Sequence, residues 1–556
     1  MRSVVLGFCC PSNGQIVYPR RIAGGLSSRN RIVECKSLSK VEEVDCVVIG
    51  SGIAGLSCAS LLTTYGLDVV VLESHSVVGG AAHSFIRNGY HFESGPSLYS
   101  GLTSRGPQAN PLSHVLQATG AKLELRTYDV WNVYLPELRW EKFPAKVGPQ
   151  GFDELFRACG SDETLKEWEQ LKSFMKPLSK ASTAVPPMAI RLDPGVIFTS
   201  IIRYFGSILP SLPFLSLLTK PFSEVLQRAG VKDTFLLNYL DLLSWLLSGL
   251  TSKGTIAAEV AFMLEEWTND SSRLEFPVGG SQALADALAE TITRRGGRIY
   301  LREHVEEILI ENGEAVGVKT KKGRIVKSRK GVVSNASTID TAKLLPDSFD
   351  GKRSWTEEVE KTPLNPSFMH LHIGFDAKGL ENLDIHHLVV NDWANGVDAE
   401  QNVVLISIAS VADDSLAPPN KHCLHAYYPA TEPWEYWQGL TAEEYESLKE
   451  ERSQVLWRAC EKVIPDIRER AEISLVGTPT THAKYLRRHK GSYGAAWIAG
   501  KEVFPFGSTP VKNLLACGDF CFPGIGLPAA AASGSIAANS LVDLTKHEEL
   551  LASIGL

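Results

Sequence analysis

Six consecutive residues, Gly50-Ser51-Gly52-Ile53-Ala54-Gly55, have the types and spacing to hold a pyrophosphate. Gly50 permits a tight turn, Gly52 lets phosphate approach the backbone, and Gly55 allows a helix to pack closely on the preceding strand. A helix starting near Ile53 and Ala54 would add free N–H groups and a positive dipole end. Glu73 lies 23 residues after Gly50, where it can accept both hydroxyls of a ribose and repel a 2′-phosphate. A GxGxxG run alone says little, and its surroundings decide. Val44–Ile49 is a short apolar, β-branched run that predicts a buried parallel strand. Leu56–Tyr65 has helical periodicity and stops at Gly66, and Asp68–Leu72 predicts a second strand. Strand, glycine turn, helix, strand and acid follow in the order of a dinucleotide fold.

The next residues choose between nicotinamide and flavin. Gly79-Gly80 follows Glu73 closely and leads into Ala81-Ala82-His83. An acid followed by a second glycine turn is the extended signature of FAD-binding oxidoreductases, in which more backbone closes over the pyrophosphate and ribityl. Two distant segments support this reading. Gly296–Leu301 predicts a strand, and His304–Ile310 and Ala315–Thr320 predict a hairpin around Asn312-Gly313, with Val305 placed at the cofactor. Ile325–Val333 predicts a further strand that runs into Ser334-Asn335-Ala336, where Asn335 joins the expected cofactor set. Near the C-terminus, the strand Asn513–Ala516 enters Cys517-Gly518-Asp519, then Pro523 to Pro528 and the small-residue helix Ala529–Leu541. Gly518 and Asp519 are expected at the ribityl, with Gly526, Leu527 and Pro528 at a helix N-terminus under the flavin ring. Such a dipole would stabilise an anionic reduced flavin. The fold class expected is α/β, a two-dinucleotide-binding, Rossmann-like FAD domain with an inserted mixed α+β substrate domain. The pattern identifies no catalytic side chain.

The chain has 556 residues, 44% hydrophobic and 21% charged, enough for several domains and too apolar for global disorder. Ten cysteines without a CxxC pair fit a reduced compartment, and no zinc spacing occurs. Residues 1–40 carry seven basic residues against Glu34, with six serines interleaved. That pattern suits a disordered organelle transit peptide, plastid rather than mitochondrial because no Arg-studded amphipathic helix is evident, with cleavage near Cys35. An ordinary tail is the alternative. The remaining chain is acidic and does not favour nucleic acid.

At Val48–Gly55, Leu72–Gly80, Asn88–Phe92, Phe276–Ser281, Val332–Ala336, Phe368–Phe375, Tyr485–Gly494 and Gly518–Gly526, the sequence resembles the carotenoid isomerase and phytoene desaturase group of flavoproteins, which also includes retinol saturase. The resemblance spans nearly all of 43–545, and within the group it is greatest to plant and cyanobacterial carotenoid isomerases and isomerase-like proteins. It implies FAD and a carotenoid or other long polyene as substrate. Two positions depart from the pattern: Gly79-Gly80-Ala81-Ala82 replaces the common Gly-Gly-Arg, and Phe520-Cys521-Phe522 stands near the expected flavin ring in place of Ser-Thr-Phe.

The resulting division is 41–110, 271–345 and 506–545 for FAD, 111–270 and 346–505 for substrate, and 546–556 as a C-terminal tail. Phe205–Leu218 is broken by Pro210 and Pro213 and is too short to span a bilayer, as is Phe235–Leu250, interrupted by Asp241. The Arg203- and Lys220-flanked stretch is either an interfacial patch at a plastid membrane surface or a core helix. His370 and His372 share one face of an expected strand; together with His386-His387 they read as cleft-wall or core histidines rather than metal ligands. Arg487-Arg488-His489-Lys490 is either near the flavin or lipid, or a solvated basic turn. The leading expectation is a plastid enzyme that isomerises a polyene on reduced FAD without net redox. The alternatives are a desaturase passing electrons to a quinone or other acceptor, a saturase, a flavin- and carotenoid-binding protein without turnover, and, more remotely, an amine oxidase.

Overall fold

The computed structural model describes residues 41–502 and 504–556; residues 1–40, expected to be a transit peptide, lie outside the described residues. The first β-branched run forms the strand Val41–Ile49, which is buried from Cys46 onward. It pairs in parallel with Val69–Leu72 on one side and Ile325–Ser334 on the other. Arg298–Tyr300 extends the sheet beyond Val69–Leu72, and Leu514–Ala516 pairs with the end of Ile325–Ser334, both in parallel. The hairpin Val305–Glu311 and Glu314–Thr320 joins through the first half of Ile325–Ser334.

Alternate residues along the central strands enter two different cores. Cys46, Val48, Val69 and Val71 pack with the helices Ile53–Thr64, Ser281–Arg294 and Leu527–Asn539. Val47, Ile49, Val70 and Leu72 pack with Val305, Ile339 and Phe520 on the opposite face. A sheet buried on both faces explains why these strands read as continuous apolar runs. Register then places the site. Ile49 lies opposite both Leu72 and Ser334, and Ser334 lies opposite Ala516. The four loops that follow these residues therefore leave the same carboxyl edge, the crevice where doubly wound sheets bind their ligands.

The second sheet runs in the order Ala471–Gly477, Ser367–Asp376, Lys421–Glu432, Val403–Ser407, His386–Val390, Val130–Tyr134 and Phe143–Lys146. Its pairs are antiparallel except that between His386–Val390 and Val130–Tyr134. A helical layer, including Asp162–Ser182, Thr234–Ser248 and Ala257–Thr268, buries Trp168, Trp245 and Phe222 in its own core.

Three expectations are corrected. Pro210 and Pro213 do not break their segment, because both lie inside the continuous helix Phe205–Leu218. Each proline deprives the carbonyl four residues earlier of its donor. Those carbonyls belong to Gly206 and Leu209, which are exposed, so they keep access to polar surroundings. Residues 546–556 are not a tail: the helix Leu544–Ser553 runs into them and buries His547, Leu550 and Leu551. The helix Pro111–Thr119, on the substrate side of the expected boundary at 110, packs into the core of the first sheet through Leu112 and Val115.

Candidate cofactor and substrate site

The helix Ile53–Thr64 starts inside the glycine motif, three residues earlier than its apolar periodicity suggests, with Gly52 as its N-cap. The first N–H groups of a helix have no intrahelical acceptor, so the motif presents donors where an anion can take them. Beside it, Gly79 donates its N–H to the Ser51 carbonyl oxygen at 2.9 Å, which fastens the second glycine turn to the first. A Cβ on Gly80 would stand 2.9 Å from the Gly52 Cα, and a Cβ on Gly52 would stand 2.6 Å from Asn335 Oδ1. The two turns and Asn335 thus meet with no room for a side chain between them.

Glu73 ends the strand Val69–Leu72 and is 8% exposed. Ser51 donates to Glu73 Oε2 through its N–H at 2.8 Å and its hydroxyl at 2.7 Å, and the His75 N–H donates to Oε1 at 2.6 Å. Ser74 Oγ also donates to Oε1 at 3.4 Å, so about four acceptor positions are engaged and a ribose hydroxyl would take the place of this longest bond. Asn335 Oδ1 accepts from the Gly55 N–H at 3.1 Å, and Asn335 Nδ2 donates to the Cys517 carbonyl oxygen at 3.3 Å. This one side chain ties three of the loops together.

One cavity of about 720 Å³ collects nearly the whole expected set. Gly50, Gly52, Ile53, Ala54 and Glu73 line it from the first motif, and Gly79, Gly80 and Ala81 from the second. Val305, Asn335, Gly518 and Asp519 line it from the distant strands, and Gly526, Leu527 and Pro528 from the start of the helix Leu527–Asn539. Gly55 lies behind this wall, where a Cβ would come 2.3 Å from the Gly50 carbonyl oxygen. The cradle that added carbon atoms would fill, the open helix ends and the carboxylate at the strand terminus fit a dinucleotide cofactor.

The basic run 487–490 is divided. Arg487 and Arg488 line the cavity, and Arg488 Nη2 donates to Asp519 Oδ2 at 2.5 Å and to the Tyr493 carbonyl oxygen at 3.1 Å. Sequence spacing alone could not separate these two from the partly solvated His489 and Lys490. The histidines of both pairs are buried: His372 Nε2 bonds the Glu93 carbonyl oxygen at 2.9 Å and His386 Nε2 bonds that of Ser97 at 3.1 Å, whereas His370 Nε2 has no hydrogen-bond partner among the described residues. His370 Nδ1 meets His425 Nε2 at 2.9 Å. Burial pushes the Cys521 thiol up to about 12, so it stays protonated beside Asp519.

Away from the glycine turns the cavity becomes apolar, lined by Leu246, Leu247, Phe262, Met263 and Phe368. Sequence reasoning missed Glu259, Glu266 and Tyr493 in this wall. The acid spacing on the helix Ala257–Thr268 was the available signal, but it resembles that of a solvated face.

A family model for flavin-containing amine oxidoreductases matches residues 53–542, and the chain belongs to that family. Among curated relatives, the chloroplastic prolycopene isomerase of Arabidopsis thaliana is 30% identical over 537 residues, covering 91% of this chain and 84% of the relative. The all-trans-retinol 13,14-reductase of Rattus norvegicus is 24% identical over 592 residues, covering 96% and 92%. An oxidoreductase from Methanosarcina mazei has a similar solved structure, with a TM-score of 0.60 at 20% identity, covering 88% of this chain and 98% of that one. The protein is an FAD-dependent enzyme with a Rossmann-like cofactor domain and an inserted substrate domain.

Proposed function

We propose that this enzyme is a plastid cis–trans isomerase of a carotenoid or other long polyene, working on reduced FAD without net redox. The observation that carries the proposal is the continuity of the cavity: one wall is built of glycine turns and Asp519, the other of Leu246, Leu247, Phe262, Met263 and Phe368. A conjugated hydrocarbon placed there would meet packing surface along its length. The relatives' names, prolycopene isomerase and retinol reductase, point to the same substrate class.

In this reading the N–H groups at Gly52 to Ala54 hold the pyrophosphate, Glu73 the ribose and Asp519 the ribityl, with Arg488 fixing the position of Asp519. The N-terminus of Leu527–Asn539 lies under the ring, and its positive end favours negative charge there. Reduced FAD supplies electron density that lowers the barrier to rotation about a conjugated double bond. The apolar wall excludes water and sets the shape that the rotated chain must fit.

The test is anaerobic incubation of the photoreduced holoenzyme with poly-cis carotenes in liposomes, followed by chromatography with mass detection. Isomerisation predicts altered retention and absorbance at unchanged mass, only with reduced flavin. A two-hydrogen change would overturn that reading in favour of a desaturase, with a quinone or other electron acceptor, or of a saturase like the retinol reductase relatives.

Delivery of such a substrate favours a membrane surface. No helix among the described residues is long and apolar enough to cross a bilayer. The π-helical turn Ile197–Ile202 and the helix Phe205–Leu218 instead expose Ile197, Phe198, Ile201, Ile202, Phe205 and Leu209 side by side. Ser200 Oγ donates to the Ala189 carbonyl oxygen at 2.9 Å, which ties this patch to the segment whose Pro186, Pro187 and Ile190 line the cavity. The patch is the proposed point of entry from lipid. Replacing Ile201 and Phe205 together by glutamate is expected to weaken co-sedimentation with liposomes by at least about tenfold, since each buried apolar side chain is worth roughly 1.5–3 kcal/mol. Undiminished sedimentation would rule the patch out.

A further inference from the structure

The helix Ala257–Thr268 lines the cavity with Glu259, Phe262, Met263, Glu266 and Trp267, the spacing of a single helical face. Its two carboxyl groups are in opposite situations. Glu266 is held: Ser100 Oγ donates to Oε1, and Asn110 Nδ2 donates to Oε2 at 3.2 Å. The Trp267 indole N–H steadies that serine at 3.1 Å. Glu259, two turns away or roughly 10 Å along the axis, makes no side-chain hydrogen bond or ion pair with any of the described residues.

Glu259 is partly exposed, and it lines the cavity. It stands in the first turn of its helix, where the dipole favours a carboxylate. Desolvation outweighs that help and pushes its acid up to about 8. Tyr493 lies within electrostatic reach of Glu259, Asp519 and Arg488. The carboxyl group therefore shares the cavity lining with Phe262 and Met263 and acts on the same tyrosine as Asp519.

An occupant that fills the cavity would cut this carboxyl off from water, and a buried polar group left without a partner costs about 1–3 kcal/mol. A wall that had only to pack a hydrocarbon would be better served at this position by leucine or methionine. The missing partner is therefore a group on the occupant. We propose that Glu259 hydrogen-bonds an oxygen function, hydroxyl or carbonyl, on the polyene, so that the site selects an oxygenated polyene over a hydrocarbon of the same length. This inference rests on the polyene reading above and adds the oxygen function to it.

Binding to the full-length, oxidised holoprotein tests it without turnover. Zeaxanthin and β-carotene, which share one conjugated length and differ in their hydroxyls, are titrated in detergent micelles and followed by tryptophan quenching. The wild type is expected to bind zeaxanthin about tenfold more tightly, the worth of one hydrogen bond of about 1.4 kcal/mol. Glu259→Leu is expected to bring the two ligands within twofold of each other, and Glu259→Gln, whose amide still donates, to keep part of the preference. Flavin absorbance per protein checks that each variant is folded and loaded. If the leucine variant loses flavin, the wild type and the near-isosteric glutamine variant decide the matter alone.

Equal binding of both polyenes by the wild type overturns this inference and leaves the polyene reading standing. So does a preference that survives Glu259→Leu intact, or one that Glu259→Gln leaves undiminished. An altered flavin spectrum in the variants with the polyene preference unchanged would assign Glu259 to the flavin instead. Failure of the wild type to bind either polyene overturns both readings.

Discussion

Gly52→Val is expected to yield a folded protein that retains less than about one hundredth of the wild-type affinity for FAD, a loss of roughly 2.7 kcal/mol or more. The added Cβ would stand 2.6 Å from Asn335 Oδ1, the atom that accepts the Gly55 N–H, and the Gly80 turn closes the other side. The valine methyls then have only the cavity left to occupy, at the point proposed for the pyrophosphate. Backbone strain does not enter, since Gly52 has φ −65° and ψ 171°, which valine adopts readily. The fold should therefore survive while the phosphate approach is blocked. Flavin absorbance per protein after gel filtration reads the loss, and the far-ultraviolet circular dichroism spectrum checks the fold. A variant that keeps full flavin would show that the pyrophosphate does not lie at this turn.

The cofactor half of the molecule was legible because its signals are local. The glycines of the first motif stand between a strand and a helix that are consecutive in sequence, and the strands on either side are apolar throughout, since both faces of the sheet are buried. Asn335 follows immediately on such a strand, and Asp519 stands three residues after the end of Leu514–Ala516. Where tertiary contacts outweigh local preference, sequence reasoning fell short. The prolines of Phe205–Leu218 are tolerated because the carbonyls they strand are exposed. Glu259 was invisible because an acid on a helix usually marks a solvated face, and only the folded chain shows that this one lines the cavity with Phe262 and Met263.

Acidification should unfold this protein well before its exposed carboxylates protonate. Burial pushes His372, His387 and His547 down to about 4 and His386 and His482 down to about 3, and it holds His370 and His425 well below the ordinary range. Their hydrogen bonds to carbonyl oxygens favour the proton, but burial outweighs them. His482 Nδ1 is paired with the Gly491 carbonyl oxygen at 2.8 Å, and His387 Nε2 with that of Asp384 at 3.0 Å. His547 Nε2 is paired with the Met188 carbonyl oxygen at 2.9 Å, while its Nδ1 already faces the Arg191 guanidinium at 3.4 Å. Protonating that nitrogen would set one cation against another. Because the folded values lie below the unfolded value near 6.5, the unfolded chain binds more protons between about pH 6.5 and 4. The stability these residues contribute is present above 6.5 and is lost as pH falls through that window. Glu93 and Glu259 work in the opposite sense, since burial raises them to about 7 and about 8, and their contribution is lost as pH rises through those values. The seven histidines outnumber these acids even with Glu266 and Glu432, which burial also raises, and each net proton changes stability by about 1.4 kcal/mol per pH unit. Urea unfolding is expected to show a midpoint at pH 5.5 far below that at pH 7, with a shallower decline toward pH 8.5. A midpoint at pH 5.5 equal to or above the neutral one would mean that these histidines are already charged in the folded protein.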